Sequence, residues 1–225
     1  MFRATILCLT LLVSSLALAQ ATGPYPSFPA PAEGKYLIAG DALPDGRLLV
    51  WNGRDVLLES GVDSRVYAPI ATGYDGDPAF VALAPNGQEA YLGAGGYDGV
   101  NPYYGNIYRL DLDAPADYTA GSVVATYPQW SGVCLTDSLL LLDAGTPDWN
   151  SELVIVNVAA KRAGAVPVVR KPAAKQQQIV PKPGYSCVLA VDRINGLVYA
   201  MDGTTRELRT FMLEQLLAAY TGETV

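Results

Sequence analysis

One phrase recurs four times along this chain: an apolar strand, a tight turn, a second apolar strand and, after a variable loop, a third. The first copy runs from Tyr36 to Leu43, turns at Pro44-Asp45-Gly46, continues from Arg47 to Trp51 and turns again at Asn52-Gly53 into Arg54 to Leu58. The second runs from Ala79 to Ala84, turns at Pro85-Asn86-Gly87, and resumes at Glu89 to Gly93 and at Asn106 to Asp111. The third is weaker, with Val133 to Thr136, a turn near Asp137-Ser138, Leu139 to Leu142 and Glu152 to Val156. The fourth has Ser186 to Asp192, Asn195-Gly196, Leu197 to Met201 and Glu207 to Phe211. Asp-Gly and Asn-Gly pairs tolerate positive φ, so these turns make consecutive strands antiparallel neighbours.

The turns at Gly46, Gly87, Asp137 and Gly196 are spaced by 41, 50 and 59 residues. Four-stranded propeller blades repeat at about 40 to 50 residues, with insertions taken up in loops. The expected fold is therefore all-β: a β-propeller of four-stranded antiparallel blades, about four of them present, at approximately 35–77, 78–130, 131–184 and 185–225, the last incomplete. No closing strand follows; Leu213 to Tyr220 reads as a short amphipathic or strand-edge segment. An open propeller exposes sheet faces, so the leading expectation is the front part of a larger propeller. A complete four-bladed ring and a β-sandwich are the alternatives.

The phrase Pro78 to Gly87, together with Val188 to Asp192 and Asn195 to Tyr199, resembles blades of the NHL, YVTN and gluconolactonase-like propellers. The resemblance covers most of the chain from residue 20 onward and implies a fold. Gluconolactonase-like members hydrolyse lactones with a metal held by acidic and Asn side chains, and this implies the alternative of a metal-dependent lactonase-type hydrolase with oxygen ligands in the propeller channel. No ligand of that family is matched position by position.

Residues 1–19 combine Arg3, an apolar stretch from Ala4 to Leu18, and Ala17 and Ala19 before Gln20. This is the pattern of a signal peptide cleaved near Ala19, which places the expected protein in the periplasm or outside the cell. The apolar stretch is short for a membrane span, which needs about 20 residues, and no later one is longer. Residues 20–34 read as an extended leader because Pro24, Pro26, Pro29 and Pro31 disfavour helix. With Cys8 removed, Cys134 and Cys187 remain. An even pair in an oxidising compartment predicts a disulfide between them, with two buried thiols as the alternative.

The net charge of −7 argues against a nucleic-acid partner. Lys161, Arg162, Arg170, Lys171, Lys175 and Lys182 form a stretch without acids. It reads either as a solvated connection rich in Pro, Ala and Gln or as a docking loop for an anionic partner. The chain contains no histidine, so within these residues there is no imidazole base, no Ser-His-Asp triad and no His-bound metal.

Oxygen ligands are plentiful. Asp75 and Asp77 sit in Gly-Tyr-Asp-Gly-Asp-Pro and are the candidate metal ligands, with calcium the suitable ion; Asp beside Gly is also an ordinary turn signal. The loop from Gly95 to Asn106 is the candidate binding loop. It places Tyr97, Tyr103 and Tyr104 among Asp98 and Asn101, and amphipathic aromatics beside small polar groups suit sugar or protein recognition. Trp51, Trp130 and Trp149 sit in or beside apolar strands and read as packing. The functional expectation is a binding or scaffold propeller whose loops engage a protein or carbohydrate partner.

Overall fold

The computed structural model describes residues 28–35, 37–95, 104–145, 151–159, 187–202 and 208–220. They form four antiparallel sheets in chain order. The first holds β1 (Ala39–Ala42), β2 (Leu48–Trp51), β3 (Val56–Glu59) and β4 (Tyr67–Ala71). The second holds β5 (Asp77–Leu83), β6 (Glu89–Gly95), β7 (Tyr104–Asp111) and β8 (Val123–Pro128). Next come β9 (Ser131–Cys134), β10 (Leu139–Gly145) and β11 (Ser151–Asn157), then β12 (Cys187–Asp192), β13 (Leu197–Asp202) and β14 (Leu208–Met212). Each sheet is a meander in which consecutive strands pair.

The turns carry out the role their composition assigns. Gly46 and Gly87 adopt φ of +90° and +71°, and their amides donate to the carbonyls of Leu43 and Ala84, both at 2.9 Å. Side chains other than glycine would be strained there. The third turn lacks glycine and is closed by a side chain instead: Thr136 Oγ1 accepts the amides of Ser138 and Leu139.

Packing between sheets explains why several strands are apolar at every position rather than at alternate ones. In β5, Val81 and Leu83 join Leu49, Trp51 and Val56 of the first sheet, whereas Phe80 and Ala82 join Leu140, Leu142 and Val154 of the third. In β10, Leu140 and Leu142 face the second sheet and Leu141 faces Leu189 and Val198 of the fourth. A strand buried on both faces needs both sets apolar. The first strand of each sheet packs beside the first strand of the next, from β1 to β5 to β9 to β12. That is the propeller arrangement, with the innermost strands lining a shared axis.

One open alternative is decided and one expectation is overturned. Leu213 to Ala219 is a helix, α1, and its Leu216 is buried in the cluster between the third and fourth sheets. Cys134 is a free, buried thiol, and no bridge to Cys187 is formed. The strand register gives the reason. The Leu189 amide in β12 donates to Ser131 Oγ in β9 at 3.2 Å, and Arg193, just after β12, reaches the Cys134 carbonyl at 2.6 Å. The two strands therefore run side by side in the same direction. Cys134 lies three residues beyond Ser131 and Cys187 two residues before Leu189, an offset of about 17 Å at ~3.3 Å per residue. A disulfide spans less than about 7 Å between Cα atoms.

Candidate functional site

Because the first strands share a direction, the β1–β2, β5–β6, β9–β10 and β12–β13 turns lie at one end of the axis. The connections from second to third strands lie at the other. At that second end the β6–β7 connection, residues 96–103, is twice as long as residues 52–55 between β2 and β3. Of the predicted binding residues, Tyr97, Asp98, Asn101 and Tyr103 lie outside the described residues, and Tyr104 opens β7 opposite Pro128.

The stems of this loop are fixed by a side chain that sequence reasoning passed over. Gln129 is fully buried, and its Nε2 donates to the Ala94 carbonyl of β6 at 2.8 Å and to the Asn106 carbonyl of β7 at 3.2 Å. One amide group thus ties together the two strands from which the loop leaves. Gly105 permits the close approach, since a Cβ there would run into the Ala94 carbonyl. Thr126 Oγ1 adds a bond to Asn106 Oδ1 at 2.9 Å. Gln129 Oε1 is buried without a hydrogen-bond partner among the described residues. In the sequence Gln129 is an ordinary polar residue between a strand and Trp130, with no spacing to mark it.

The two candidate metal ligands occupy different environments. The Asp75 carboxylate is exposed and pairs with Lys35 Nζ at 2.8 Å, while its carbonyl accepts the Tyr108 hydroxyl at 2.8 Å. Tyr108 belongs to an aromatic group in which Trp51, Tyr74 and Tyr118 each meet it edge to face. Trp51 Nε1 donates to the Tyr74 carbonyl at 3.0 Å. Trp51 is thus core, as its sequence context implied, and Asp75 caps that core. Asp77 opens β5 opposite Gly95, and its Oδ1 is buried without a hydrogen-bond partner among the described residues. No group of three His, Cys, Asp or Glu side chains able to hold a metal occurs among the described residues.

At the opposite end of the axis, side chains satisfy the inward edge of the inner strands. The Ala84 amide pairs with Glu89 in β6, so the neighbouring Leu83 peptide groups face the axis. Asp41 Oδ2 of the first sheet accepts the Leu83 amide at 3.0 Å, and Arg193 of the fourth donates to the Leu83 carbonyl at 3.5 Å. Arg193 also donates to Cys134 and Leu135 of the third sheet, at 2.6 and 3.2 Å. All four sheets are joined through one aspartate and one arginine. Loss of hydration holds the Asp41 carboxyl above its ordinary value, against the opposing pull of the Leu83 and Ala42 amides and of Arg193.

A cleft of about 350 Å³ lies at the outer rim between Tyr74, Arg109, Asp111, Thr119, Ser122 and Val158. Its polar groups are engaged internally: Arg109 pairs with Glu89 at 3.2 Å, Asp111 caps the amides of Asp113 and Ala114, and the Tyr74 hydroxyl donates to Ala116.

No protein-family model matches the chain, and no curated protein matches it. Among solved structures it is similar to a structural-genomics protein of unknown function from Bacteroides thetaiotaomicron, with a TM-score of 0.50 and 15% identity over 79% of this chain and 41% of that one. The chain thus spans about two-fifths of that solved chain. It is also similar to the β-propeller domain of Myceliophteria thermophila Cps50 (Swd1), with a TM-score of 0.41 and 13% identity over 77% of this chain and 54% of that one. Hsv2 from Kluyvelomyces marxianus gives a TM-score of 0.39 at 11% identity, over 77% and 56%. At these identities the likeness concerns the fold alone.

Proposed function

We propose that this chain is an exported β-propeller binding protein whose β6–β7 loop engages a protein or carbohydrate partner. The observation that carries the reading is the Gln129 amide held between the Ala94 and Asn106 carbonyls. It gives a tyrosine-rich loop a rigid base, and recognition residues are commonly carried on loops held by a rigid scaffold. Tyr97, Tyr103 and Tyr104 supply contact area at low conformational cost, and Asp98 and Asn101 supply hydrogen bonds. Export rests on the N-terminal signal pattern. The lactonase reading is less supported, because Asp75 is engaged by Lys35 and Asp77 lies in a separate, buried environment.

The test is a glycan array and a panel of extracellular proteins probed with the chain and with a Tyr97→Ala, Tyr103→Ala, Tyr104→Ala variant. A ligand whose binding falls at least tenfold in the variant, with the melting temperature unchanged, supports the reading. Ligands bound equally by both would contradict it.

A further inference from the structure

We infer that Asn195 is the principal site of spontaneous deamidation: the Gly196 amide closes a succinimide on the Asn195 side chain, and water opens it to aspartate or isoaspartate. The chain holds three Asn-Gly pairs, Asn52-Gly53, Asn86-Gly87 and Asn195-Gly196. Glycine has no side chain to hinder its amide nitrogen from approaching the preceding side-chain carbonyl carbon. Both groups lie in one dipeptide, so the attack is intramolecular. All three glycines adopt positive φ, at +96°, +71° and +64°, and their own conformation does not separate the pairs. What separates them is how the reacting groups are held.

Asn52 is only 9% exposed, and its Oδ1 accepts the amides of Arg54 at 3.1 Å and Asp55 at 2.8 Å. The carbonyl that must be attacked is fixed inside its turn and shielded from water. Asn86 is exposed, yet both of its reacting groups are engaged. The Gly87 amide donates to the Ala84 carbonyl at 2.9 Å, and Asn86 Oδ1 accepts the Gln88 amide at 2.8 Å. The Asn86 amide is itself held by Asp137 Oδ1 of the third sheet at 2.8 Å. Attack at this pair breaks hydrogen bonds that close the hairpin.

Asn195 lacks these restraints. It is exposed, next to Ile194, which is 93% exposed. Among the described residues no acceptor takes the Gly196 amide and no donor reaches Asn195 Oδ1. The side chain is held once, through the nitrogen that departs: Nδ2 donates to Asp192 Oδ2 at 2.6 Å. In the reaction the bond from Gly196 N to Asn195 Cγ forms and the Cγ–Nδ2 bond breaks, the Gly196 amide proton leaving with the side-chain nitrogen as ammonia. Water then adds to either ring carbonyl, so the net change is amide and water to carboxylate and ammonium. The new carboxylate stands beside Asp192 where a donor stood, and like charges repel. Arg193 of the same turn donates to Leu83, Cys134 and Leu135, so loosening this turn reaches the ties at the axis.

Incubation of the full chain at pH 8, followed over weeks by peptide mapping with mass spectrometry, tests the inference, with the same chain in guanidinium chloride as the reference. Native conversion at Asn195 is expected at least tenfold faster than at Asn52 or Asn86, because the restrained pairs react only from locally opened states. In denaturant, where only the shared dipeptide remains, the three rates are expected to become comparable. Equal rates in the native chain, or earlier conversion at Asn52 or Asn86, overturn the inference. A preference for Asn195 that persists in denaturant overturns its structural cause. The Asn195→Asp variant supplies the carboxylate from the outset and is expected to melt below the parent; unchanged melting overturns the consequence for the axis.

Discussion

Asp41 accepts the backbone amide of Leu83 across the boundary between the first and second sheets, 3.0 Å away. Burial raises the carboxyl above its ordinary value of 3.8, so the folded state holds its proton more tightly than the unfolded chain does. The sign follows from linkage: this group's contribution to stability is fully present below the unfolded value and is lost as pH rises through the folded one. Measured by urea unfolding between pH 3 and 7, the stability of the parent relative to Asp41→Asn is expected to decline as pH increases. A difference that is flat or rises with pH would show that Asp41 is not desolvated at the axis.

A close approach between the second and third sheets makes the next prediction. A Cβ on Gly132 would stand 2.7 Å from Phe80 Cε1 and 2.8 Å from Leu142 Cδ2. Gly132→Ala is therefore expected to destabilise the chain by about 1–3 kcal/mol through overpacking. Adding Phe80→Leu should recover part of that loss, because it removes the atoms the new methyl group meets. Additive costs in denaturant unfolding of the double variant would mean the two residues are not in contact.

Cys134 is expected to be inert in the folded protein. It is buried, and the same burial pushes its thiol well above the ordinary range, while the reactive species is the thiolate. Iodoacetamide should leave Cys134 unmodified in the native chain and alkylate it after unfolding in urea without reductant. A peptide map under non-reducing conditions containing a Cys134–Cys187 crosslink would contradict this.

The strands were readable because their causes are local. Five successive apolar residues from Ala79 to Leu83 predict a buried strand, and Pro85-Asn86-Gly87 after them predicts its turn. What the sequence hid depends on which sheets meet. Asp41 reads as one polar residue inside a hairpin, and its role appears only when β5 is set beside β1. Gln129 lacks any local pattern, because the carbonyls it joins lie 35 and 23 residues away. The disulfide expectation rested on an even cysteine count, which carries no information about register. The segment ending at Tyr220 was too short for its periodicity to separate helix from strand, and packing of Leu216 against the third and fourth sheets decided it.

Every functional reading here depends on four sheets sharing one axis, and the most direct measurement of that is a double-mutant cycle between Asp41 and Arg193. These residues belong to the first and fourth sheets and meet through the Leu83 peptide of the second. With Asp41→Ala, Arg193→Ala and the double variant followed by urea unfolding, the shared axis predicts a coupling of about 0.5–1 kcal/mol. Effects that add to within about 0.3 kcal/mol would place the two residues apart and contradict the arrangement.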